Sequence, residues 1–276
     1  VRRFFNFPTT RASDSLCSLS VKPPISPQPH PNIIMAALDQ TVRAFVTDGP
    51  SEALHAGEIK RRSLRDLDVS IKIHFCGICH SDLHMTRNDW GISQYPMVPG
   101  HEITGIVDAV GPKVSEFKVG DRVGVGCIVD TCRTCDHCTH DADSTCLSGI
   151  TMTYGSPDRV SPGSFTQGGY SERIVVEERF VLRIPDGLDL AAAAPLLCAG
   201  TTSWNPMLQA KIGPHSKVGV VGIGGLGHLA VKLARALGAS VVAFTSKASK
   251  RDELLALGAN DVVVTSEPED VKRMDN

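Results

Sequence analysis

The chain has 276 residues, 42% of them hydrophobic, with 25 glycines and a formal net charge of −2. That length gives room for two domains, each with its own core. The near-neutral balance gives no electrostatic basis for nucleic acid or anionic lipid as a partner, and no run approaches the roughly 18 apolar residues of a membrane span.

Residues 1–34 differ from the rest. They carry Arg2, Arg3 and Arg11, many Ser and Pro residues and one acid, Asp14. A basic, Ser-rich, acid-poor start resembles an organelle transit peptide, whereas the prolines between Pro23 and Pro31 oppose an amphipathic helix. The alternative is an upstream extension of the reading frame with Met35 as the natural start. On either reading 1–34 is expected to be disordered.

From Thr41 to about Arg183 short alternating runs are separated by Gly-rich turns, among them Val69–Phe75, Ile103–Val107 and Arg122–Val125. They predict a twisted antiparallel β domain over residues 35–185. After Pro185-Asp-Gly187 the period changes. Ala191–Leu197 reads as an apolar helical run and Lys217–Val221 as a buried strand. A Gly-rich turn follows, then a helix with Leu226, Leu229, Ala230, Leu233 and Leu237 on one face. Strand Val241–Phe244 comes next, then a helix with a capping box at Ser249 and Asp252, and strand Asp261–Val264. Residues 186–276 are therefore βαβαβ, half of a doubly wound nucleotide fold, and the whole is α/β plus β.

The cysteines carry the first chemical signal. There are nine, an odd number with no signal-peptide pattern ahead of them, and seven lie between Cys76 and Cys146. This argues for a reducing, cytoplasmic setting and for metal rather than disulfides. Cys132-x2-Cys135-x2-Cys138-x7-Cys146 offers four thiolates to one tetrahedral zinc with no open position, a structural site. His137 and His140 are unnecessary as ligands beside a complete thiolate set.

Cys79, His101 and Cys198 form a second set. Each alone has a plain explanation as a buried thiol, a turn histidine or a small helix residue. Together, two thiolates, an imidazole and a water make a catalytic zinc with one position open. Asp82 is placed to fix the His101 tautomer, Glu102 to approach the metal from behind, and Ser81 with His84 to pass a proton to solvent.

Gly222-Ile-Gly224-Gly225-Leu226-Gly227 follows a strand and opens a helix, the context that makes GxGxxG a pyrophosphate site. About 20 residues on, an NAD enzyme would show an acid. This chain has Thr245, Ser246 and Lys247, with Lys250 nearby, which suits the 2′-phosphate of NADP(H).

Gly100-His101-Glu102-x2-Gly105-x5-Gly111-x2-Val114 resembles the zinc signature of the medium-chain alcohol dehydrogenases. Gly77–His84, the four-cysteine lobe and Gly168-Gly-Tyr-Ser-Glu172 are most similar to the cinnamyl alcohol dehydrogenase branch. The likeness runs from about Val42 to about Val264. It implies a GroES-like catalytic domain, a Rossmann domain, two zinc ions per chain, NADP(H), an aldehyde or alcohol substrate and usually a homodimer. By motif position it implies Cys79, His101 and Cys198 as zinc ligands, Glu102 as an alternative ligand, and Ser81 with His84 as the relay, Ser81 standing where many members have Thr. The second βαβαβ half of that fold is missing from the sequence, so weak or no activity and a doubtful dimer are expected of this chain. A non-catalytic zinc-binding fragment of the same family is the alternative.

Overall fold

The computed structural model describes residues 40–273. The expectation for residues 1–34 lies outside them. Strands β1 (Gln40–Val46) and β2 (His55–Arg61) pair as an antiparallel hairpin. There follow β3 (Asp68–Cys76), helix α1 (His80–Arg87), β4 (Ile103–Val110), β5 (Arg122–Val125) and β6 (Ile128–Asp130). Then come the short α2 (Asp136–Thr139), β7 (Thr151–Met152), β8 (Arg173–Glu177) and β9 (Leu182–Arg183). A five-stranded antiparallel sheet in the order β8-β3-β4-β5-β9 forms the centre, while β6 and β7 pair separately. Val69, Ile71, Ile103, Val107, Val123, Val125 and Val176 fill its core.

The alternation predicted for Val69–Phe75 breaks near its end. The β3–β4 register skips His74, so that Ile73 faces Gly105 while Phe75 faces Thr104. This bulge turns Phe75 out to solvent and keeps Cys76 against the core, so the chain enters the Gly77–Cys79 turn re-aimed.

Helix α3 (Leu190–Ala193) starts the next segment, its N-cap Asp189 accepting the Ala192 N–H at 3.0 Å. The predicted helical run over Ala191–Leu197 does not continue as one helix. It tightens into a 3-10 turn at Ala194–Leu197, where Pro195 supplies no N–H. Leu190, Ala193 and Leu197 pack with Ile184 and Ile106 against the antiparallel sheet. Helix α4 (Ala199–Gln209) begins directly after Cys198.

The remaining elements are β10 (Lys217–Val221), α5 (Gly225–Ala236), β11 (Ser240–Thr245), α6 (Arg251–Ala256), β12 (Asp261–Val264) and α7 (Pro268–Lys272). The three strands are parallel in the order β10-β11-β12, as expected of a doubly wound half. Three details differ from the sequence reading. Strand β10 is not a buried strand: it lies at the sheet edge among the described residues, and Val221 is 80% exposed. The buried stripe of α5 is Gly227, Val231 and Ala234, with Leu226 turned out at 47% exposure. No capping box forms at Ser249 and Asp252, because Ser249 lies inside a 3-10 turn (Ala248–Lys250) and α6 begins at Arg251 with Lys250, not Ser249, as its N-cap.

Candidate active site and metal centres

The end of β3, the start of α1, the turn before β4 and the start of α4 converge on one point. The ligand atoms of Cys79, His101, Glu102 and Cys198 all lie within 4.8 Å of one another. Cys79 is the N-cap of α1, and its N–H donates to Asp82 Oδ2 at 3.0 Å, so the helix start fixes the thiol and the carboxylate together. Gly77 packs on Glu102: a Cβ there would sit 2.0 Å from Glu102 Oε2, so a larger residue would displace the Glu102 side chain.

Asp82 is 2% exposed and still well supplied with donors. Its Oδ1 accepts from Gly100 N–H and from His101 Nδ1, both at 3.0 Å. Its Oδ2 accepts from Cys79 N–H and, at 3.2 Å, from the Tyr170 hydroxyl. Burial pushes its pKa up, but the hydrogen bond and charge of His101 and the remaining donors outweigh that and hold it below the usual carboxylate range. With Nδ1 committed to Asp82, His101 turns Nε2 toward the Cys198 thiol. Burial disfavours the imidazolium, yet Asp82 and Cys198 raise His101 to about 11. So negative a field is one that a dication would neutralise.

The donor set fits zinc in number and spacing. With Zn–S bonds near 2.3 Å, sulfurs at two corners of a tetrahedron stand about 3.8 Å apart. Cys79 Sγ and Cys198 Sγ are 3.9 Å apart. In the lobe between β6 and β7, Sγ separations are 3.4 Å for Cys135–Cys138, 3.9 Å for Cys132–Cys138 and 4.0 Å for Cys135–Cys146. All are far beyond a disulfide bond, and the described cysteines are free. The Cys135 N–H donates to Cys132 Sγ at 3.3 Å, and backbone donors hold the Cys132 thiol down to about 5. His137 and His140 stay outside: His137 Nδ1 donates to Thr145 O at 2.6 Å, and His140 Nδ1 to Asp136 O at 2.8 Å. Arg179 pins the lobe through Asp143 Oδ2 at 2.8 Å and Cys138 O at 2.7 Å.

Ser81 and His84 lie three residues apart on α1, on one side of the helix. His84 is oriented by Asp89 Oδ2, 2.8 Å from its Nδ1, and its ring stands 5.1 Å from that of Trp90. Among the described residues no hydrogen bond joins Ser81 to His84.

The glycine loop sits between β10 and α5. Gly222 has φ +82°, and Gly227 is held to glycine because a Cβ there would lie 2.2 Å from Gly222 O. Gly224 is the N-cap of α5 and Gly225 its first residue, so free N–H groups point out of the helix end. Lys250 reaches back to this loop, its Nζ donating to Ile223 O at 3.0 Å. Thr245 is buried at the end of β11 and its Oγ1 accepts from Lys247 N–H at 3.2 Å, while Ser246 and Lys247 are exposed beside it.

Three residues at the first site were not singled out from sequence. Cys127 hydrogen-bonds Cys198, which lowers its own thiol pKa. Tyr154 is buried with its ring 6.0 Å from that of His101. Tyr170 bonds Asp82. For Cys127 a signal existed: once the two sets are assigned, Cys76 and Cys127 are left over in the cysteine cluster.

Comparison with known proteins adds to this geometry. The profile of the alcohol dehydrogenase GroES-like domain matches residues 65–186, and that of the zinc-binding dehydrogenases matches 225–276. The chain is 50% identical over 230 residues to "NADP-dependent alcohol dehydrogenase C 1" of Mycolicibacterium smegmatis, covering 83% of this chain and 65% of that one. It is 46% identical over 234 residues to "NADP-dependent alcohol dehydrogenase C" of Mycobacterium bovis, covering 85% and 67%. A solved cinnamyl alcohol dehydrogenase from Sorghum bicolor superposes with a TM-score of 0.81 at 44% identity, covering 85% of this chain and 67% of that one. The chain thus spans about two thirds of the length of these relatives.

Proposed function

The chain belongs to the zinc-binding alcohol dehydrogenases with a GroES-like domain, and on that basis we propose that it interconverts primary alcohols and aldehydes with NADP(H). The convergence of two thiols, an imidazole and a carboxylate beside the start of α1 carries the reading. In it, Cys79, His101 and Cys198 hold a catalytic zinc, with Glu102 as an alternative ligand. Cys132, Cys135, Cys138 and Cys146 hold a structural one. Held there, zinc would polarise a substrate carbonyl, and NADPH would supply the hydride.

The chain's own residues complete the reaction. Asp82 fixes the His101 ring so that Nε2 is presented to the site. Ser81 gives its hydroxyl proton to the alkoxide formed by reduction and is reprotonated by His84, whose Nδ1 side is held by Asp89. Gly222, Gly224, Gly225, Leu226 and Gly227 receive the pyrophosphate at the start of α5. Thr245, Ser246, Lys247 and Lys250 surround a 2′-phosphate, Lys250 being already drawn to the loop. Residues 35–185 form the catalytic unit and 186–276 the cofactor unit, with α3 docked on the catalytic sheet. The free thiols suit the cytoplasm. No helix among the described residues is long and apolar enough to cross a membrane.

The test is NADPH oxidation by the purified chain in the presence of aliphatic and aromatic aldehydes, with His101→Ala alongside. Aldehyde-dependent turnover that His101→Ala removes supports the reading. Turnover that survives His101→Ala contradicts it.

A further inference from the structure

The segment 167–173 is tied to the candidate catalytic site more firmly than a connecting loop requires. Gly168 N–H donates to Val98 O at 2.7 Å, Gly169 N–H to Gly100 O at 2.8 Å and Tyr170 N–H to Pro99 O at 3.0 Å, so the segment runs along the turn that carries His101. On its far side lies Arg61, 8% exposed. The guanidinium donates to Gln167 O at 2.6 Å, Gly168 O at 2.7 Å, Ser171 Oγ at 2.8 Å and Arg173 O at 2.8 Å. No carboxylate is bonded to it among the described residues. A buried cation therefore places its donors on one short segment, and between these anchors stands Tyr170.

The Tyr170 hydroxyl reaches Asp82 Oδ2, the carboxylate oxygen that also accepts Cys79 N–H, while Oδ1 holds His101. Asp82 thus joins the backbone of one candidate ligand to the ring of another. Rotation of this carboxylate would displace both. The Tyr170 phenol adds a side-chain donor to Oδ2 at 3.2 Å, on a carboxylate that the Tyr154 hydroxyl also bonds. We propose that Tyr170, set in place by Arg61, is a positioning residue for the Cys79–His101–Cys198 metal site and acts through Asp82. The proposal rests on the zinc reading of that site.

The experiment uses the full chain loaded with zinc, with release followed by a chromophoric chelator. The four-thiolate lobe serves as the internal reference. Tyr170→Phe keeps the ring and removes only the hydroxyl. It is expected to speed zinc loss from the Cys79–His101–Cys198 site about tenfold or more, with loss from the lobe unchanged. In cobalt-substituted protein the same variant shifts the visible band of that site. In an Asp82→Asn background, Tyr170→Phe is expected to add little, because the acceptor through which it acts has already changed. Unchanged release, equal acceleration at both sites, or full additivity with Asp82→Asn would each overturn the proposal. A wild-type chain that releases zinc from the lobe alone would overturn the catalytic-site reading first, and the proposal with it.

Discussion

Replacing Cys146 with Ser isolates what the four-thiol lobe contributes. The segment Cys132–Cys146 has fifteen residues and contains, as secondary structure, only the four-residue α2 and one 3-10 turn. At about 1 kcal/mol per residue, the low end of backbone ordering, holding it fixed costs on the order of 15 kcal/mol. Its buried apolar side chains are Cys138 and Cys146, together worth at most about 5 kcal/mol. A four-thiolate zinc contributes about 10–16 kcal/mol, comparable to the difference. If one missing thiolate forfeits only about 3 kcal/mol of that, the opened fraction of the lobe rises more than about 100-fold. Arg133 reports the opening. It is the one Lys or Arg between Cys132 and Gly149, and Asp130 and Glu177 pair with it in the closed lobe. Trypsin is therefore expected to cut Cys146→Ser after Arg133 at least 100-fold faster than wild type, while the β3–β4 core keeps its circular dichroism. Bound zinc falling with no change in cleavage at Arg133 would refute the reasoning, since the lobe would then be ordered by something other than metal.

Three further expectations concern other parts of the chain. Asp68 is 0% exposed beneath Arg62 and Arg65, and although burial raises its pKa, their hydrogen bonds bring it below the usual value. Its contribution is present above the unfolded value near 4 and is lost as pH falls through the lower folded value. Asp68→Asn should accordingly cost about 2–3 kcal/mol at pH 7 and progressively less below pH 4, read from urea midpoints; an equal cost at both pH values would contradict the assignment. Gly227→Ala forces a Cβ toward Gly222 O and should weaken NADPH binding at least tenfold by fluorescence titration with zinc content intact; unchanged affinity would remove the loop from the cofactor site. Ser246→Asp places a carboxylate beside the proposed 2′-phosphate and should lower the preference for NADPH over NADH by tenfold or more, in kcat/KM; no change would locate the phosphate elsewhere.

The metal chemistry was legible in the sequence because ligand spacing is local. The lobe cysteines lie three and eight residues apart, and His101 sits in a motif of fixed glycines. Cys198 was harder to read, its meaning coming from Cys79, 119 residues away. Tyr154 carries no local pattern, Tyr170 stands in the Gly168–Glu172 motif with nothing there to show its bond to Asp82, and Cys127 shows only as a leftover thiol, because each reaches the site through sheet pairing and loop packing. Strand periodicity located β4, β5 and β12 well. It misread the end of β3, where a bulge at His74 reverses the faces, and β10, whose apolar residues lie at a sheet edge among the described residues. The capping box at Ser249 failed for a related reason: the pattern was present, but the chain entered α6 through a 3-10 turn.

Zinc content per chain, in wild type and in Cys198→Ala, tests the central claim most directly. Two zinc ions in wild type and one in Cys198→Ala is the predicted result. Fewer than one zinc in folded wild-type protein, or two retained in Cys198→Ala, would contradict the assignment of this site and the chemistry built on it.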